Sequence, residues 1–181
     1  MFDEIGDMPL HPLVIHAPVI GIPLAMLLAL LFAFPRTRNW ARWPLALTVL
    51  GSTAAVFVSR ESGEALQRSL NIQPGNPVGD LIAEHSRLAD QLFYIMLGYS
   101  LLTVVTVFLV RRRAVASGEV ATGDADTVAK PRTGPLGIVL ILLVLAASAV
   151  ASLWTVRVGD IGARAVWNPT GTGLLGLLGL S

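Results

Sequence analysis

Three histidines, His11, His16 and His85, are the side chains of this 181-residue chain best suited to hold a metal ion or a haem iron. The chain has no cysteine. That removes disulfides, thiolate metal sites, iron–sulfur clusters and covalently attached c-type haem. Two ligand schemes remain open. In one, His16 and His85 take a b-type haem from opposite sides, with Arg60 and Arg157 near its propionates. In the other, His11, His16 and His85 join Glu61 and Glu64 around a divalent metal such as zinc or iron, an imidazole–carboxylate set. The bland alternative is a histidine bonded to a backbone carbonyl, or His85 bonded to Glu61 or Glu64.

Both histidine-bearing stretches must be carried by helices. His11 and His16 open "LHPLVIHAPVIGIPLAMLLALLFAF", an apolar run long enough to cross a bilayer. His85 lies in "VGDLIAEHSRLADQL", where Leu81, His85, Leu88, Leu92 and Ile95 recur at helical steps and share one stripe. Straight helices set His85 about six residues, roughly 9 Å, before its apolar run begins. His11 is nearer that height than His16, which favours the metal scheme; a bend at Pro18 restores the haem scheme. Pro18 and Pro23 each remove a backbone donor, so a bend in the first helix is expected.

Composition says what surrounds these helices. Hydrophobic residues make up 54% of the chain and charged ones 14%, which fits an integral membrane protein rather than a soluble domain. Apolar blocks at 13–34, 44–59, 91–110 and 136–156 predict an all-α bundle of four transmembrane helices in one domain. The leader "MFDEIGDMP" is acidic, unlike a cleaved signal. Residues 59–90 read as an extension of helices two and three into a hairpin turned by "NIQPGNP". Residues 111–135 read as a linker, polar and without period over 114–133, and "WNPTGTGLLGLLGLS" as a tail too short to cross. Gly51 with Ala55, Ala147 with Ala151 and Ser148 with Ser152 offer small-residue contacts between helices.

Charge sets the expected topology. The connections between blocks one and two and between three and four hold Arg36, Arg38, Arg42, Arg111, Arg112, Arg113, Lys130 and Arg132. Basic residues stay cytoplasmic, so both termini, the 59–90 hairpin and all three histidines are expected on the outer side of the membrane. No serine sits in a glycine elbow, no phosphate loop joins a strand to a helix, and mid-bilayer groups are hydroxyls only. Neither transport, nor a nucleic-acid partner, nor an enzyme acting on its own is expected.

"LHPLVIHAPVIGIPLAML" resembles the His-Pro-x-x-(Val/Ile)-His-x-Pro opening of the bacterial membrane proteins grouped as domain of unknown function 2231. "SRESGEAL", "NPVGDLIAEHSRLAD" and "GDIGARAVWNPTGTG" are similar to that family's later segments, so the resemblance spans nearly the whole chain. It implies four crossings and singles out His11, His16, Glu64 and His85. Ala17 stands where the family often has phenylalanine, which opens space beside His16. Relatives fused to Rieske-type or cytochrome-type domains imply membrane redox chemistry. The expectations are therefore a haem b module for electron transfer, a non-catalytic subunit of a respiratory or other membrane complex or homo-oligomer, or an outer-face metal-binding protein.

Overall fold

The computed structural model describes residues 4–5, 8–118 and 134–169. A two-residue antiparallel ladder, β1 (Glu4–Ile5) with β2 (Met8–Pro9), precedes α1 (Leu10–Val14) and α2 (His16–Ala33). The long helices α3 (Arg38–Ser69), α4 (Pro77–Gly118) and α5 (Pro135–Trp167) follow. Four stretches are long and apolar enough to cross a membrane: Leu10–Ala33, Arg38–Ser69, Pro77–Val110 and Pro135–Trp167.

The helices outrun their apolar blocks. α3 has 32 residues, about 48 Å of helix, against a hydrocarbon core of about 30 Å. α5 continues past the expected end at 156 to Trp167, because "VRVGDIGARAVW" loses hydropathy but not helical periodicity. α4 also runs on through residues 114–118, where a linker was expected. The remainder of that linker, 119–133, and the tail from 170 onwards lie outside the described residues.

The helical ladder is interrupted at Ile15, between α1 and α2, although Ile15 itself keeps helical φ and ψ of −59° and −24°. Pro18 has no N–H for the Val14 carbonyl, and its ring crowds that oxygen, so the helix opens one turn before the proline. Pro23 sits inside α2 without ending it. Backbone bonds from Ile15 N to the His11 carbonyl and from Val19 N to the Ile15 carbonyl cross the interruption, so α1 and α2 follow one helical path with α1 packed on α3.

Around the bundle α2 packs on α3 and α5, and α4 packs on the same two, closing a ring. Ile22, Ala25, Ala29 and Phe32 of α2 meet Leu45, Val49 and Val56 of α3, Leu92, Met96 and Tyr99 of α4, and Ile141, Val144 and Ala151 of α5. Leu27, Leu47, Leu101 and Leu153 stay exposed on the outer face. Apolar residues on both faces, with only the inner one packed, are what a lipid solvent permits. Gly21 packs directly on Ser52, which brings α2 close to α3. Ser148 and Ala151 are in the core as expected, whereas Gly51 faces open space and joins no helix contact.

Candidate functional site

The residues that converge are His11 and His85. Their ring centres are 6.3 Å apart and their planes nearly perpendicular, at 89°. His11 comes from the short α1. Its Nδ1 lies 2.8 Å from the Ser59 carbonyl oxygen of α3 and 3.3 Å from Ser62 Oγ. His85 comes from the continuous α4, and its Nδ1 lies 3.0 Å from the Val158 carbonyl oxygen of α5. A carbonyl only accepts, so Nδ1 carries the proton in both rings. Neither Nε2 has a hydrogen bond to a described residue.

Each ring also lies on a glycine. A Cβ on Gly63 would sit 3.0 Å from His11 Cε1 and 3.1 Å from Nδ1. A Cβ on Gly162 would sit 2.9 Å from His85 Cε1 and 3.0 Å from Nδ1. In each case the glycine follows the accepting carbonyl by four residues, one helical turn along. An acid stands between them at the same offset, Glu61 in α3 and Asp160 in α5. The bundle therefore contains one histidine clamp twice, α1 on α3 and α4 on α5, with the two ring centres 6.3 Å apart.

His16 does not join them. It is exposed on α2, and its Nδ1 lies 3.3 Å from the Leu13 carbonyl oxygen of its own helical stretch. The expected pairing of His16 with His85 is thus replaced by His11 with His85, because five residues along a helix set the two side chains about 140° apart and only one of them faces the bundle. The divalent-metal set does not assemble either. Among the described residues no three His, Cys, Asp or Glu side chains gather so as to hold a metal ion. Glu61 and Glu64 turn instead to Arg60, at 3.4 and 3.5 Å.

Arg60 is fully engaged. It also pairs with Asp90 of α4, and its guanidinium carbon stands 6.0 Å from the Phe93 ring centre, tying α3 to α4. Arg157 is exposed, its guanidinium carbon 5.3 Å from the Trp154 ring centre. Trp154 Nε1 and Ser59 Oγ are buried without a hydrogen-bond partner among the described residues. Both lie within one turn of a clamp carbonyl.

The family that matches is described as predicted membrane protein (DUF2231), over residues 7–172. The chain belongs to this family. No curated protein and no solved structure matches it. Membership in DUF2231 and the four apolar helices agree on a multi-pass membrane protein that sits in a lipid bilayer.

Sequence reasoning missed Ser59, Gly63, Val158 and Gly162. Backbone acceptors leave no residue signature. The two glycines do: each interrupts a good helical pattern about five residues beyond an apolar block, where glycine costs about 1 kcal/mol unless something must approach closely.

Proposed function

We propose that the chain is a haem b module of the bacterial plasma membrane, serving electron transfer rather than catalysing a reaction alone, with His11 and His85 as axial ligands. The observation that carries this reading is the 6.3 Å separation of two rings whose Nδ1 atoms are both held by backbone carbonyls. A backbone carbonyl on Nδ1 fixes the tautomer and the ring orientation that a histidine ligand needs, leaving Nε2 as the donor. His11 and His85 are therefore the residues that would hold a haem iron.

Each residue then has a task. The Ser59 and Val158 carbonyls hold the rings, and Gly63 and Gly162 let them seat against the helices. Arg157 and the unpartnered Trp154 Nε1–H, on one turn of α5, are the donors available to propionates; Arg60 is spent on Asp90, Glu61 and Glu64. A bound haem would supply a one-electron couple tuned by its axial histidines. The positive-inside rule puts this end of the bundle and both termini outside.

A second reading is a non-catalytic subunit of a respiratory or other membrane assembly. It is supported by the same bonds, since a histidine donating to a backbone carbonyl and seated on glycine also pins two helices together. Absorption spectra of the purified full chain, oxidised and dithionite-reduced, separate the two. The haem reading expects sharp reduced bands that vanish in His11→Ala and His85→Ala and persist in His16→Ala. A chain without chromophore after haem is supplied, purifying with partner subunits, would instead establish the structural role.

A further inference from the structure

At the opposite end of the bundle, the elbow between α2 and α3 gathers cations without acids. No Asp or Glu occurs between residues 8 and 60 or between 91 and 118. Arg38 is occupied there, donating to the carbonyl oxygens of Phe32 at 3.1 Å and Ala33 at 2.8 Å, and so caps the end of α2. Arg42 differs. Its Nε is buried and has no hydrogen-bond partner among the described residues. Its guanidinium carbon stands 5.6 Å from the Trp43 ring centre, and Trp43 meets Phe108 of α4 edge to face at 6.0 Å. That stack holds the cation at the seam between α3 and α4.

The seam continues into the bilayer as apolar surface. Leu47 is one turn on from Trp43 and 68% exposed; Leu101, two turns from Phe108, is also 68% exposed. α4 carries Arg111, Arg112 and Arg113 just past Phe108. A stacked cation whose Nε lacks an acceptor among the described residues, an aromatic floor and an apolar track below it suit a ligand with an anionic head and a hydrocarbon tail.

We propose that the α3–α4 seam binds one anionic phospholipid, its phosphate on Arg42 and an acyl chain lying along Leu47 and Leu101. Free phosphate shares the head chemistry but not the tail. A juxtamembrane basic residue near an anionic leaflet is worth about a fivefold preference.

Native mass spectrometry of the full chain in detergent, titrated with phosphatidylglycerol, phosphatidylcholine or inorganic phosphate, tests this. The expected result is about fivefold greater retention of phosphatidylglycerol than of phosphatidylcholine. Arg42→Gln should abolish the preference, while Arg68→Gln, at the other end of α3, should keep it. Should Arg42→Gln fail to fold, Trp43→Leu frees the guanidinium from its stack and should also weaken retention. Equal retention of the two lipids, an unchanged preference in both seam variants, or displacement of the lipid by millimolar phosphate would overturn the assignment.

Discussion

The two histidine clamps differ in the helix that presents the ring. His85 sits in the continuous α4, buttressed by buried Leu88 and Leu92 on the same stripe. His11 sits in the five-residue α1, the N-terminal turn of the first helical path, separated from α2 only by the interrupted ladder at Ile15. The second ring is therefore fixed by its own helix, whereas the first depends on what it touches in α3. Its environment reflects that dependence: Ser62 Oγ lies 3.3 Å from His11 Nδ1, while Ile161, at the matching place in α5, has no hydroxyl. One clamp is rigid by continuity and the other by an added polar contact.

Removing a ring tests that contrast most severely. His85→Ala removes the side-chain bond to the Val158 carbonyl, which keeps its helical donor, and opens a hole between α4 and α5. The expected loss is on the order of 2–3 kcal/mol of stability, read as a lowered unfolding midpoint in detergent. His11→Ala should cost less, about 1–2 kcal/mol, because α1 can settle into the vacated space. His16→Ala, on the exposed face of α2, should leave the midpoint unchanged. Equal losses at 11 and 85 would mean that the terminal α1 has no more freedom than the continuous α4.

The glycines come next in size. Gly162→Ala brings a methyl to 2.9 Å from His85 Cε1, and the continuous α4 cannot swing away. The expected cost is about 1–3 kcal/mol, with altered axial-ligand spectra if haem is bound. Gly63→Ala creates a similar contact at 3.0 Å, but the short α1 can yield, so about 1 kcal/mol is expected. Thermal unfolding of the pair of variants ranks them directly. A larger effect at Gly63 would reverse the proposed order of rigidity.

Sequence and structure part company in the same place. The four apolar runs, the buried stripe through His85 and the turn at "NIQPGNP" were all legible, since hydropathy and periodicity encode them. Residues 70–76 do form that turn, with Asn71 and Gly75 at positive φ. The identity of the inward histidine was not legible. Pro18 announces an interrupted ladder but not which side of the first helix meets the bundle, and that side decides between His11 and His16. The acceptors were hidden for a different reason: Val158 lies beyond the apolar block of α5, and any residue type supplies a carbonyl.

The smallest expected effect isolates the contact peculiar to the first clamp. Ser62 Oγ donates to the Ser59 carbonyl at 3.0 Å and stands beside His11 Nδ1, so the hydroxyl and the ring share one acceptor. Ser62→Ala keeps the main 2.8 Å bond from Nδ1 to that carbonyl and removes only the secondary contact, worth about 0.5–1 kcal/mol. The consequence should appear in ring mobility before stability: a broader or exchanging His11 side-chain resonance at an unfolding midpoint only slightly lowered. Combined with His11→Ala, Ser62→Ala should add almost nothing, whereas with His85→Ala it should add its full cost, because coupling is confined to groups that touch. Additivity in both backgrounds would show that the hydroxyl serves α3 alone and that the first ring is held by its carbonyl, as the second is.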